Sequence, residues 1–184
     1  AGHVPNSMFI GLDGGFAPWV GAVLSNIDQP ILLVADEDRV EEAITRLSRV
    51  GFDNVKGYLD GGFSAWINEG KEVAVIDTIT ANDFENNYQG NDVNIFDVRK
   101  LTEYQSEHVL DAINIPLNNI NNFISDFKID GENYIHCAAG YRSMIANSIL
   151  KAHGIHNLVD VRGGFSSIKK TAITTSEYIC PSTL

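Results

Sequence analysis

The chain has 184 residues, room for one medium domain or two small ones. It is 44% hydrophobic and 20% charged, a globular composition, and its formal net charge of −11 argues against nucleic acid and anionic membrane surfaces as partners. The longest wholly apolar run, Ile31-Leu32-Leu33-Val34-Ala35, is far too short to span a bilayer, so no membrane role is expected.

No basic-then-apolar signal segment opens the sequence, and a cytoplasmic protein is the expectation. Two cysteines, Cys137 and Cys180, make no disulfide framework. The histidines His3, His108, His136, His153 and His156 form neither a His-x-His nor a His-Glu-x-x-His pattern, so no metal site is expected.

In chain order, the main organisational feature is an internal repeat. His3-Val4, Ile10 and Leu12 match His108-Val109, Ile115 and Leu117. Ile31 to Ala35 matches Asn133 to Cys137, and Arg39, Ala43, Leu47 and Gly51 match Arg142, Ala146, Leu150 and Gly154. Gly61-Gly62-Phe63-Ser64 matches Gly163-Gly164-Phe165-Ser166. The first copy, 1–70, is incomplete, because nothing in it matches Thr80 through Ser106, about 27 residues by this alignment. A polar link, 71–78, follows, then a complete copy, 79–171, and a polar tail, 172–184, expected to be mobile.

Within the complete copy, Thr80 caps a helix reaching about Tyr88. Val93–Val98 is a strand, Leu101–Glu107 a short helix, and Ala112–Ile115 a strand stopped by Pro116. Ile120, Phe123, Ile124 and Phe127 predict one face of a helix over 120–127. Tyr134-Ile135-His136 is a buried strand ending in Cys137, and Ile145, Ala146, Ile149 and Leu150 mark a helix stopped by Gly154. Leu158–Val161 is the last strand, and Gly163-Gly164 turns into a final helix. Strands alternating with helices predict an α/β fold with a mostly parallel sheet.

The reactive candidate is Cys137, on a strand-to-helix loop just ahead of a helix N-terminus. Unpaired backbone N–H groups and the positive helix end there stabilise a thiolate or a bound anion. Ala138, Ala139, Gly140, Tyr141, Arg142 and Ser143 form the loop around it. Gly140 can take φ > 0 to close the loop, and Arg142 adds a permanent positive charge. Read alone, a cysteine at the end of an apolar run is more often a buried small residue. His136 precedes Cys137 on the strand, so its side chain should point away from the loop.

Cys137-x-x-Gly140-x-Arg142-Ser143 after a buried strand resembles the active-site loop of the rhodanese family of sulfurtransferases. Asp97-Val98-Arg99, Glu103-Tyr104, His108-Val109 and Ala112-Ile113-Asn114-Ile115-Pro116 resemble the segment upstream of that loop, and Gly163-Gly164-Phe165 the turn after the last strand. The family usually has Pro-Gly where this chain has Leu110-Asp111. The six-residue loop is one shorter than in the related phosphatases, which fits sulfur chemistry.

The resemblance implies a rhodanese-like α/β fold in two tandem copies. It implies that Cys137 moves sulfane sulfur, as a persulfide, from thiosulfate or a low-molecular-weight persulfide to cyanide, sulfite or a thiol, without a cofactor, and that Asp97 and Arg99 buttress the loop. The first copy reads Ala35-Asp36-Glu37-Asp38-Arg39 at the matching place; it has no thiol and three carboxylates, and is expected to be inactive. A truncated copy before an active one resembles the C-terminal part of a persulfide dioxygenase–rhodanese fusion, which implies an N-terminal metallo-β-lactamase-fold domain as partner. A homo-oligomer would also cover the incomplete copy. The alternative is a non-catalytic redox-sensing or docking module.

Overall fold

A computed structural model describes residues 2–88, 93–127, 130–180 and 182. The chain divides into two compact units, Ala1–Val75 and Ile76–Leu184.

The first unit contains β1 (Gly2–His3), α1 (Phe16–Val23), β2 (Ile31–Leu33), α2 (Val40–Ser48), β3 (Val55–Tyr58), α3 (Gly62–Asn68) and β4 (Ala74–Val75). β2 and β3 pair in parallel, and β1 and β4 antiparallel. Its core joins Phe16 and Val20 of α1 to Leu47 of α2 and Phe52. The outer face of β2 is bare: Leu32 is 77% exposed. The 71–78 segment, read from sequence as a polar link, instead holds β4 and the beginning of β5.

The second unit contains β5 (Asp77–Ile79), α4 (Ala81–Tyr88), β6 (Asn94–Asp97), α5 (Leu101–Ser106), β7 (Ile113–Asn114), β8 (Asn133–His136), α6 (Tyr141–Ala152), β9 (Leu158–Val161) and α7 (Gly164–Ile168). The five strands form one parallel sheet in the order β5-β9-β8-β6-β7. Sequence reasoning missed β5, an edge strand too short to alternate visibly.

Phe84 of α4, Ile95, Tyr134, Val159 and Val161 of the sheet, and Phe165 and Ile168 of α7 pack on one face. Helix α6 buries Ile145, Ala146, Ile149 and Leu150, and Phe96 meets Phe127 at 4.3 Å between ring centroids. With side chains packed on both faces, the central strands are buried along nearly their whole length, and the polar Asp97, Asn133, His136 and Asp160 are buried with them. Thr80 does cap α4: its hydroxyl accepts the Asp83 N–H at 3.2 Å and donates to the Asp83 carboxylate at 2.7 Å.

Two expectations are corrected. The 120–127 segment is not an α-helix but two 3-10 turns, Leu117–Asn122 and Ile124–Asp126, with Ile120 and Phe127 buried and Phe123 exposed. Asn118, Asn119, Asn121 and Asn122 favour local side-chain bonds over regular helix, and the shorter repeat turns Phe123 outward. The tail is not loose up to residue 180. Ser176 N–H donates to His108 O at 2.8 Å, Ile179 N–H to Ser106 O at 2.8 Å, and Leu110 N–H to Thr174 O at 3.2 Å. The tail thus lies along the strand approach to β7; residues 181, 183 and 184 fall outside the described set. At the departure from Pro-Gly, Asp111 accepts the Tyr88 hydroxyl at 2.6 Å, and Asn6 is the one described non-glycine residue with positive φ.

Glycines that the sequence comparison pairs between the two units take similar φ values. Gly51 and Gly154 have φ of 86° and 85°; Gly61-Gly62 have 71° and 58°, against 78° and 55° for Gly163-Gly164.

Candidate active site

Strand β8 delivers Cys137 to the C-terminal edge of the sheet, where open α/β folds place their ligand crevices. The thiol is buried, with 1% of the residue exposed. Gly140 N–H points at Cys137 Sγ over 3.1 Å. Gly140 takes φ of +118° as the N-cap of α6, and its carbonyl accepts the first helical bond, from Met144 N–H at 3.1 Å. That backbone turn is what lets the chain curl over the sulfur.

A second helix fixes the loop from outside. Phe165 N–H donates to Cys137 O at 2.7 Å and Ser166 N–H to Ala138 O at 3.0 Å. With these carbonyls bonded to the start of α7, the peptide planes of the loop are fixed. Gly164 permits this approach: a Cβ there would sit 2.3 Å from Cys137 O. Sequence reasoning treated Gly163-Gly164 as a turn alone; its signal was the recurrence of the pair in both halves of the chain.

Arg142 leaves the loop to meet α5. Its Nη1 and Nη2 bond Glu103 Oε2 and Oε1 at 2.6 and 2.8 Å, a bidentate fork. The guanidinium holds Glu103 below the usual carboxylate range, and Glu103 raises Arg142 in turn. Glu103 also accepts Lys100 N–H at 3.2 Å, so one carboxylate caps α5 and ties it to the loop. Glu103 was quoted in the motif but not singled out as a site residue.

Ser143 is buried and donates to Gly140 O at 3.0 Å. It also hydrogen-bonds Asp160 of β9, which receives Asn147 Nδ2 at 3.3 Å. Burial pushes the Asp160 carboxyl up, against the opposing hydrogen bond from Ser143. Asp160 read in sequence only as part of the last strand. Ala139 is exposed, and Ala138 and Tyr141 are half-buried.

Beneath the loop lie Asp97 and Arg99. Asp97 accepts Arg99 Nη2 at 2.6 Å, Nε at 2.9 Å and the Arg99 backbone N–H at 2.9 Å. Arg99 also bonds Glu107 O at 2.8 Å and stacks 4.0 Å over the Phe165 ring. The pair therefore links β6, α5 and α7 below Cys137. Asn114, a further residue that sequence did not single out, binds Asp97 O and Arg99 O at 2.8 and 3.0 Å.

His136 is fully buried in this layer, with Nδ1 4.0 Å from Asp97 Oδ1 and 3.4 Å from Cys137 O. Burial pushes the imidazole down, which favours its neutral form, and among the described residues Nε2 has no hydrogen-bond partner. Cys137 and Cys180 are not joined in a disulfide, and Cys180 is exposed in the tail. Among the described residues no group of three His, Cys, Asp or Glu could hold a metal ion, and no helix is long and apolar enough to cross a membrane. In the first unit the matching Asp36, Glu37 and Asp38 are exposed, Glu37 accepts Gly61 N–H at 3.1 Å, and Arg39 pairs with Asp13 at 2.8 Å.

The family model described as "Rhodanese-like domain" matches residues 80–171, half of the chain. The protein YqhL of Bacillus subtilis is 29% identical over 91 residues, which are 50% of this chain and 71% of that protein. The putative sulfur carrier protein YrkF of the same organism is 32% identical over 72 residues, only 39% of either chain. A thiosulfate sulfurtransferase from Pseudomonas aeruginosa shares the fold, with a TM-score of 0.50 at 20% identity over 97% of this chain and 38% of that one.

Proposed function

Because this chain belongs to the rhodanese-like family through residues 80–171, we propose that it is a sulfurtransferase working through a Cys137 persulfide. The observation that carries this reading is the Cys137 Sγ held by Gly140 N–H at 3.1 Å, in a loop fixed between α6 and α7. The likeness to a putative sulfur carrier protein supports sulfur transfer in general.

In the first step the Cys137 thiolate attacks the outer sulfur of thiosulfate or of a low-molecular-weight persulfide. The donor's S–S bond breaks, its electron pair leaves with sulfite or thiol, and Cys137 becomes a persulfide. The loop Ala138 to Ser143 surrounds this group, and its N–H groups and the positive end of α6 offset its charge. A thiophilic acceptor (cyanide, sulfite or a thiol) then takes the terminal sulfur and regenerates the thiolate. Asp97 and Arg99 hold the loop from below.

The first unit, which has Ala35 where the repeat places Cys137 and so no reactive thiol there, serves as a non-catalytic, truncated copy within boundaries near 1–70 and 79–171. A chemistry that depends on a free thiolate suits a reducing compartment such as the cytoplasm. Membership of a fusion with a metallo-β-lactamase-fold persulfide dioxygenase rests on sequence resemblance alone.

The test is mass spectrometry of Cys137 after exposure to donor, with thiocyanate formation from cyanide as the turnover assay. Gain of one sulfur atom on Cys137, and loss of turnover in Cys137→Ser, are expected. A Cys137→Ser protein that turns over like the wild type would overturn the reading.

A further inference from the structure

Resting on the sulfurtransferase reading, we infer that Glu103 is a specificity-determining residue, setting the site to take sulfur from carbon-bound persulfides in preference to the thiosulfate dianion. The charges around the loop carry this. Its one cation, Arg142, is engaged on both terminal nitrogens by Glu103 at 2.6 and 2.8 Å. The cation beneath, Arg99, is engaged by Asp97 at 2.6 Å. The two residues that follow the cysteine, Ala138 and Ala139, carry no charge.

Cys137 is 1% exposed, so a donor must shed water to reach the sulfur. Shedding water is costly for a charged group unless an opposite charge replaces it. Thiosulfate brings two negative charges toward a thiolate that already carries one, and like charges at this range repel. What remains to offset them is backbone N–H, and the Gly140 N–H is already spent on Sγ. A persulfide carries at most one charge on its reacting end, and its carbon tail can lie by the exposed Ala139.

The step balances without an added oxidant. Cys137–S⁻ attacks the terminal sulfur of R–S–SH, a Cys137 S–S bond forms as the donor S–S bond breaks, and the electron pair and proton leave on R–SH. Glu103 acts in this through Arg142: remove its charge and a net positive charge appears at the loop.

The experiment follows the rate of Cys137 persulfide formation by mass spectrometry in single turnover. The donors are thiosulfate and the persulfide of 2-mercaptoethanol, whose tail is uncharged. The variants are Glu103→Gln, which leaves an acceptor for Arg142, and Ala139→Lys, which adds a cation at an exposed position while keeping the fork. Wild-type protein is expected to load at least about tenfold faster from the persulfide, the low end of what electrostatic focusing does to a charged substrate.

Each variant should raise the ratio of thiosulfate to persulfide loading rates by about tenfold relative to wild type. Should Glu103→Gln fail to fold, Ala139→Lys and the wild-type donor ratio carry the test. Equal wild-type rates, faster loading from thiosulfate, or variants that leave the donor ratio unchanged would overturn the inference while the sulfurtransferase reading stands. Loading from neither donor would overturn both.

Discussion

Replacing Gly164 by alanine tests whether α7 sets the geometry of the reactive loop. The new Cβ would lie 2.3 Å from Cys137 O, 2.8 Å from Ala138 C and 2.9 Å from Ala139 N. All three are backbone atoms, so no rotamer change relieves the contact. Separation must grow by about 1 Å to reach ordinary packing distance. That displacement weakens or breaks the Phe165–Cys137 and Ser166–Ala138 bonds, now 2.7 and 3.0 Å. Each is worth about 1 kcal/mol. The φ of +55° adds about 1–2 kcal/mol for a residue with a Cβ. The expected loss is therefore roughly 3–4 kcal/mol if both bonds go, a large share of the ~5–15 kcal/mol of a typical domain.

Activity should fall further than stability alone implies, by about 10²-fold, because a misplacement near 1 Å disrupts a positioned reaction centre. Urea denaturation and sulfur transfer on the folded fraction would be measured together, with two controls. Gly140→Ala meets no atom within 4 Å and reads the backbone strain of φ +118° by itself. Gly62→Ala places a Cβ 2.8 Å from Ala35 O, the matching contact of the first unit, and should disturb that unit while sulfur transfer persists. A Gly164→Ala protein with wild-type turnover and an unchanged urea midpoint would refute the role given to α7. So would a destabilised protein whose folded fraction turns over normally.

Three further outcomes follow from burial. His136 is held neutral below its ordinary value of 6.5, so the unfolded chain takes up its proton first on acidification. The His136 share of stability is present above pH 6.5 and is lost as pH falls from 6.5 toward the lowered folded value; thermal melts of wild type and His136→Asn should differ in slope on that side, and parallel slopes would exclude the histidine as the cause. Asp160 is raised by burial above 3.8, so its contribution is present at low pH and is lost as pH rises through the folded value. Asp160→Asn should therefore gain stability relative to wild type as pH rises from 4 to 7, with its amide offered to Asn147 Oδ1, which is buried and has no partner among the described residues; a gap independent of pH would contradict this. Tyr134, 2% exposed with its ring 5.1 Å from Phe84, should lose about 3–5 kcal/mol on replacement by alanine, whereas Leu32→Ser at the matching bare position should change stability by less than about 0.5 kcal/mol in urea titrations.

The sequence by itself determined what is local and periodic. The apolar run ending at Cys137, the glycine at 140 and the helical spacing from Ile145 to Leu150 sufficed to place a thiol at a strand-to-helix turn. Positive φ at Gly140 and Gly154 follows from the same reading, because each lies at a helix end where a Cβ is unwelcome. Thr80 declared its helix start through side-chain chemistry. The 3-10 turns at 117–126 escaped because their apolar spacing mimics a helix while their asparagines oppose one.

Only the tertiary structure decided which distant groups share the reactive sulfur's surroundings. Glu103 and Arg142 are 39 positions apart and meet because α5 and the start of α6 rise from the same end of one parallel sheet. Gly164 acts on Cys137 because β9 lies beside β8, bringing the next helix N-terminus onto the loop carbonyls. Asp160 reaches Ser143 for the same reason. Such pairings depend on strand order and on backbone approach within a few ångströms. Hydrophobic periodicity records which side of an element is buried, but it does not record what lies against that side.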